Sequence, residues 1–303
     1  MNKKLLKELL RIPSHVREEN LLTDWLMAYF NSRHDCAVRR DKMGNVYVTK
    51  GIQPPYPCVC AHLDTVHPLT NYLIQEEGDT LYAVDWTEQR VGCGGDDKAG
   101  VYLCLRMLDR YPSLKAAFFV QEEIGCQGSR AADPQFFTDV GYVIEFDSPC
   151  DDILSFTCDG VRLFPLEGPF YEAVYPQLQK FGVLNWQHHP YTDVSILKRR
   201  FPFPCLNLPA GYFRMHSSLE YVQMAAVENT EQLAVSLIDA LGCCVYSFRV
   251  IENGAADHKS PVLVTYLKTH DYEKRVPVPP STEGARGSIE NRLRKLGASQ
   301  PKP

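Results

Sequence analysis

Residues 58–64 read CVCAHLD. Four apolar residues run unbroken into His62, and Asp64 follows two places on. A short continuous apolar run is what a strand covered on both faces presents, as in a parallel sheet packed between helices. Its polar end then lies at the carboxyl edge, where open α/β sheets place their sites. The pattern recurs further along. Residues 116–121 lead into Glu122 and Glu123, and residues 142–146 lead into Asp147. Other strand-like runs occupy 45–49, 154–157 and 205–208. Helix-like stretches lie at 5–10, 19–31, 98–110, 171–181, 193–199 and 228–240, the last closed by Gly242 as a C-cap. This alternation predicts an α/β fold of three layers, a mixed, mostly parallel central sheet with helices on both faces.

Composition sets the outer bounds. Hydrophobic residues make up 45% of the 303-residue chain and charged ones 23%, the balance of an ordinary globular protein with one large core. A net charge of −5 gives no reason to expect a nucleic acid or an anionic membrane as partner. No apolar run is long enough to span a bilayer. The opening MNKKLLKELLRIPSHVREEN (1–20) reads as an amphipathic helix rather than a secretory leader. Lys7, Glu8 and Arg11 interrupt its apolar stretch and no small-residue cleavage site follows. The eleven cysteines form no CxxC pair, so they read as reduced thiols of a cytoplasmic protein. Past Gly242 the character changes. Residues 262–267 suggest one more strand, and from Tyr272 onward proline and charge dominate, as in a loosely held tail. The expected organisation is a catalytic domain over 1–242 and an extension over 243–303.

The chemistry sits where the strands end. His62 and Asp64 follow the first run, Glu122 and Glu123 the second, Asp147 the third. Asp96 and Asp97 stand in GCGGDDKAG (92–100), just before a helix, and His216 lies far downstream between Met215 and Ser217. Imidazole with carboxylate suits a borderline ion such as zinc, whereas oxygen alone would suit magnesium or calcium. Two histidines with this many carboxylates exceed what one tetrahedral zinc needs. Two metals sharing a carboxylate account for the surplus.

Taken together, these segments resemble the co-catalytic di-zinc exopeptidase superfamily, which holds peptidase T, carboxypeptidase G and bacterial leucyl aminopeptidase. The matching pieces are Ala61-His62-Leu63-Asp64, Gly95-Asp96-Asp97-Lys98-Ala99-Gly100, Glu122-Glu123-Ile124-Gly125 with Gly128-Ser129 behind it, Phe146-Asp147, and Met215-His216-Ser217-Ser218-Leu219-Glu220. Each is common by chance; their joint order over residues 5–242 is not. The resemblance implies that His62 and Asp147 hold one Zn2+, that Glu123 and His216 hold a second, and that Asp96 bridges both, with Co2+ or Mn2+ as alternatives. It further implies Glu122 as general base, Asp64 as the group fixing the His62 ring, and a cis peptide between Asp96 and Asp97. Adjacent residues on an extended segment point opposite ways, so Glu122 and Glu123 can divide these tasks. In the peptidase T group a lid or dimerisation domain precedes the last histidine. Here only 69 positions separate Asp147 from His216, too few for that domain.

Each residue also has a plainer reading. His62 with Asp64 makes a buried hydrogen-bonded pair, Asp96 and Asp97 cap a helix, and Glu122 with Glu123 forms a solvated strand end. The ordered combination favours the metal site. His67, His188, His189 and His258 read as loop or surface histidines rather than further ligands, Asp193 as a residue that lines the site or merely turns the chain, and Arg214 as half of a structural ion pair rather than a contact for a substrate carboxylate. The expected function is a metallopeptidase of aminopeptidase type acting on a peptide or aminoacyl substrate. An N-acyl-amino-acid deacylase or dipeptidase would use the same site. A non-catalytic binding protein on the same fold would have no need to retain Glu122. Oligomeric state is not indicated.

Overall fold

The computed structural model describes residues 1–68 and 70–249 together with the backbone of Thr265 and Tyr266. In chain order the strands are β1 (Cys36–Arg40), β2 (Val46–Lys50), β3 (Tyr56–His62), β4 (Tyr72–Glu77), β5 (Thr80–Asp85), β6 (Arg90–Val91), β7 (Leu114–Phe119), β8 (Val140–Ser148), β9 (Ile153–Cys158), β10 (Val161–Arg162), β11 (Asn185–His189), β12 (Cys205–Pro209), β13 (Tyr212–Phe213), β14 (Tyr221–Gln223) and β15 (Thr265–Tyr266). The helices are α1 (Lys3–Leu10), α2 (Asn20–Asn31), α3 (Gly95–Arg110), α4 (Gln127–Arg130), α5 (Gly168–Lys180), α6 (Asp193–Arg200) and α7 (Met224–Leu241).

The central sheet runs β1-β2-β7-β3-β8-β12-β9-β11-β15, with β10 paired to β9. Its middle, β7-β3-β8-β12, is parallel, as are β9-β11 and β11-β15. The pairs β1-β2, β2-β7 and β12-β9 are antiparallel. Every residue of β3 and β7 is buried, which is why both read as unbroken apolar runs. Register brings their polar ends level. Val59 sits opposite Ala116 on one side and Ile144 on the other. His62, the turn holding Glu122, and Asp147 therefore emerge at one edge. Helices α1, α3, α5 and α7 pack into one layer, while α2 lies on β1 and β2, and α6 with α4 lies by β8, β10 and β12. The sheet is thus covered on both faces, as the alternating pattern predicts. Among the described residues no helix is long and apolar enough to cross a membrane.

A second, smaller sheet runs β13-β14-β5-β4, with β6 on β5, and all its pairs are antiparallel. It matters for the site because β6 leads into residues 92–97 while β13 and β14 flank the loop bearing His216. The pairing of β14 with β5 brings those two loops together.

All six predicted helices and the six predicted strands before Gly242 form, shifted by a few residues. Gly242 does close α7, at a φ of 62°. One difference changes the local picture. The strand expected over 116–121 stops at Phe119, and Gln121 takes a left-handed φ of 56°. Glu122 and Glu123 therefore lie on a turn, not on an extended strand end. A second correction concerns His188 and His189, which stand in strand β11, with His189 only 6% exposed. Of the strand expected over 262–267, Thr265–Tyr266 pairs with β11. The rest of it, His258 and the tail from Tyr272 lie outside the described residues.

Candidate metal centre

Five sequence-distant side chains meet at the carboxyl edge of β3, β7 and β8. His62 Nε2 lies 2.9 Å from Asp96 Oδ1 and 3.4 Å from Asp147 Oδ1. His216 Nε2 lies 3.2 Å from Asp96 Oδ2 and 3.1 Å from Glu123 Oε1. The two oxygens of Asp96 are thus divided between the two imidazoles. Potential ligand atoms fall within 4.8 Å of one another in three sets: His62 with Asp96 and Asp147, Asp96 with Glu123 and His216, and His62 with Glu122 and Glu123. Glu122, buried beside them, completes the group of residues singled out from sequence.

The surrounding chain explains how each is held. The nearer partner of His62 Nδ1 is the main-chain oxygen of Asp64, at 3.0 Å; the Asp64 carboxylate is 3.5 Å away. Donation from Nδ1–H to that carbonyl turns Nε2 toward the carboxylates, where it donates a proton in the metal-free protein and would be the ligating atom once that proton is lost. The Asp64 carboxylate has another task, accepting the N–H groups of Glu122 at 2.8 Å and Glu123 at 3.0 Å. It therefore supports the turn that carries both glutamates. Asn45 braces that turn from behind, accepting from Val120 N–H and donating to the Gly128 carbonyl. Gly128 leaves room for this, since a Cβ there would lie 2.4 Å from the Val120 oxygen. Asp147 is steered by three residues that sequence reasoning missed. Tyr212 donates its hydroxyl to Oδ1 at 3.1 Å, Thr192 Oγ1 lies 3.0 Å from Oδ2, and Asn207 Oδ1 accepts the Asp147 N–H at 2.8 Å. None of the three has a local pattern in the sequence that would mark it.

The Asp96–Asp97 peptide is cis, and neither residue has helical dihedrals. Asp97 is fully buried and accepts from His62 N–H at 3.2 Å and Gly100 N–H at 3.0 Å, tying the start of α3 to the end of β3. A Cβ on Gly100 would lie 2.4 Å from both Asp97 carboxylate oxygens and 2.3 Å from the Phe146 carbonyl. Gly100→Ala is expected to destabilise the fold by about 1–3 kcal/mol, the usual range for overpacking. Calorimetric melting of the metal-free protein measures it; an unchanged Tm would show that Asp97 can move without loss.

The electrostatics call for cations. Four carboxylates and two imidazoles share a largely buried space. Burial pushes Glu122 well above the usual carboxylate range, Glu123 up to about 7, and Asp147 upward. Burial opposes charge on His62, but hydrogen bonds to Asp147, Asp64 and Asp96 outweigh it and raise the ring well above its ordinary value. Contacts with Asp96 and Glu123 push His216 up to about 10. Burial would raise Asp96 too, yet His216 and His62 hold it below the ordinary range. In the metal-free protein, protons thus occupy the electron pairs that divalent ions would use, and metal binding would release them. Mixed imidazole and carboxylate donors with one shared carboxylate fit two divalent ions.

A cleft of about 180 Å³ opens on this group. Asp96, Glu122, Glu123, Asp147 and His216 border it on one side, and Pro149, Tyr191, Tyr212 and Met215 give it an apolar wall. His189 also borders it, with Nδ1 2.8 Å from Ser155 Oγ. Asp193 is buried in the first turn of α6 and does not border the cleft. Arg214 forms no ion pair among the described residues, so the structural pairing expected for it is not found.

No protein-family model matches the chain, and no curated protein matches it. Solved structures do. The chain is similar in fold to the aminopeptidase PepT of Bacillus cereus, with a TM-score of 0.65 and 14% identity, covering 78% of this chain and 96% of that one. A tripeptidase of Staphylococcus aureus gives a TM-score of 0.63 and 14% identity over the same shares, 78% and 96%. The TET1 peptidase of Pyrococcus horikoshii, which assembles into a tetrahedron or a large octahedral shell, gives 0.57 and 14% over 77% and 98%. At such identities the likeness establishes the fold. The resemblance to zinc exopeptidases read from the motifs holds at that level.

Proposed function

We propose that the chain is a metallo-exopeptidase that hydrolyses the peptide bond next to a free amino terminus. The observation that carries this reading is the division of Asp96 between the His62 and His216 rings, with the Glu122 carboxylate buried beside them. His62 and Asp147 would hold one ion, Glu123 and His216 the other, and Asp96 both. Two Zn2+ fit best, with Co2+ or Mn2+ as alternatives. When bound, such ions supply Lewis acidity toward the scissile carbonyl and bring a water within reach of deprotonation at neutral pH. Glu122 takes the proton of the attacking water on its carboxylate and returns it to the leaving amine. Asp64 keeps Glu122 in place through the main chain, and Tyr212 and Thr192 keep Asp147 in place.

Substrate preference follows from what borders the cleft. No lysine or arginine does so among the described residues, so apart from the ions themselves a substrate carboxylate finds no counter-charge there. With Asp96, Glu123 and Asp147 taken up by the ions, Glu122 is the carboxylate left at the cleft to favour an ammonium group. Residues 148–215 supply β9 to β13 with α5 and α6, all belonging to the two sheets and their cover. This supports reading 1–242 as one catalytic domain without an inserted lid. Cys58, Cys60, Cys93, Cys104, Cys126, Cys158 and Cys205 are buried without disulfides, which supports a reducing, cytoplasmic setting.

A paired assay tests the reading. Aminoacyl anilides should be cleaved by the zinc- or cobalt-loaded protein, and their N-acetylated forms should not. Preferential cleavage of the acylated forms would replace this reading with an N-acyl-amino-acid deacylase. Cleavage of neither, nor of dipeptides, by protein carrying two ions would leave a binding protein on a peptidase fold.

A further inference from the structure

Glu220 lies four residues past His216 and is 1% exposed. Its carboxylate is taken up by three main-chain N–H groups of one loop. Oε2 accepts from Cys93 at 2.8 Å and Gly94 at 2.7 Å, and Oε1 accepts from Asp96 at 3.0 Å. Burying a carboxylate costs several kcal/mol unless it is fully hydrogen-bonded, and bonds to an ionised acceptor are the strong kind. Gly94 and Asp96 stand at the start of α3, where N–H groups have no partner within the helix. Helix caps usually come from the residue just before the helix. This one comes from 124 to 127 positions downstream.

The loop it grips is irregular and tightly packed. Gly94 is left-handed, with a φ of 65°, and Asp96 itself is non-helical at φ −80° and ψ 103°. Gly95 is pressed so closely that a Cβ would lie 2.7 Å from Val222 Cγ2. One short segment, 216–220, thus reaches Asp96 twice, by the His216 ring at the side chain and by Glu220 at the main chain.

We propose that Glu220 is a positioning residue: it sets the division of the Asp96 oxygens between His62 and His216, and so decides that the chain holds two ions rather than one. The proposal rests on the metal-centre reading above. A simple helix cap would affect stability alone; Glu220 acts on ion stoichiometry. The loss should fall on the Glu123–His216 side, where the His216 side chain is 44% exposed and carried on a loop.

The test is calorimetric titration of the metal-free full chain with zinc, for the wild type, Glu220→Gln and Glu220→Asp, with circular dichroism to check folding. Glutamine keeps the size, but one of its two polar ends donates, so it cannot accept all three N–H groups. The wild type should bind two ions per chain. Glu220→Gln should keep one near its original affinity and lose the second by about 10–100-fold, the usual effect of removing a group that orients a ligand. Glu220→Asp, which retains the charge on a shorter stem, should recover part of that loss relative to Glu220→Gln. Two ions at unchanged affinity in Glu220→Gln would overturn the proposal and leave the metal centre standing. A wild type that binds no divalent ion would overturn both. Should Glu220→Gln not fold, Glu220→Asp is read alone: a weakened second site supports the proposal, and an undiminished one overturns it.

Discussion

Glu122→Gln should leave both ions in place and lower turnover by about 10²–10⁴-fold, the range for loss of a general base. Two features make the outcome specific. Glu122 is buried beside the ligand group, and its main chain is held by Asp64 through a bond that the substitution does not touch. Gln is nearly the same shape, so the turn should keep its form and Glu123 its position. Metal analysis alongside steady-state kinetics decides the role. Activity close to the wild type would remove Glu122 from the mechanism. Loss of an ion together with activity would make it a ligand instead, as its placement within 4.8 Å of His62 and Glu123 ligand atoms would allow.

Asp96→Asn should be more damaging to the metal content. The side chain presents one oxygen to each imidazole, and both are needed if two ions share it. An amide offers one oxygen and one nitrogen that carries hydrogens, so it can serve one ion at most. The expected result is a drop from two ions per chain to one or none, with hydrolysis lost in parallel. Elemental analysis after dialysis reads the first quantity and the anilide assay the second. Two ions retained at wild-type affinity would show that the bridging assignment is wrong, even if activity fell.

Much of this site was legible in the sequence for one physical reason. His62 and Asp147 end buried parallel strands, and such strands announce themselves as apolar runs whose polar residue marks the edge. Asp96 and Asp97 stand out by following a glycine-rich turn where a helix starts. What escaped notice was the supporting structure. Tyr212, Thr192 and Asn207 reach Asp147 from 45 to 65 positions away, and no local period encodes such a contact. The smaller sheet was missed for a related reason. Its strands are short and partly exposed, and the polar ends of β4 and the two-residue β6 and β13 fall below what alternation can reveal. Placing Glu122 and Glu123 on a strand failed because Gln121 turns the backbone left-handed, a choice a non-glycine residue seldom makes and composition does not signal.

The pairing of β14 with β5 also has a meaning for biosynthesis. Chains emerge from the ribosome amino end first, at roughly 5–20 residues per second, and domains fold as units. His216 meets a partner 93 positions earlier, and Glu220 meets one 127 positions earlier. A nascent chain that has released His62, Asp96, Glu123 and Asp147 still lacks the strand that closes the small sheet. Until Gln223 has left the exit tunnel, the loop at residues 92–97 has neither the His216 ring nor the Glu220 carboxylate. On the proposed reading, the nascent chain gains the His216 ring and the Glu220 carboxylate in one step, when residues 216–223 emerge, and the metal centre cannot assemble before then.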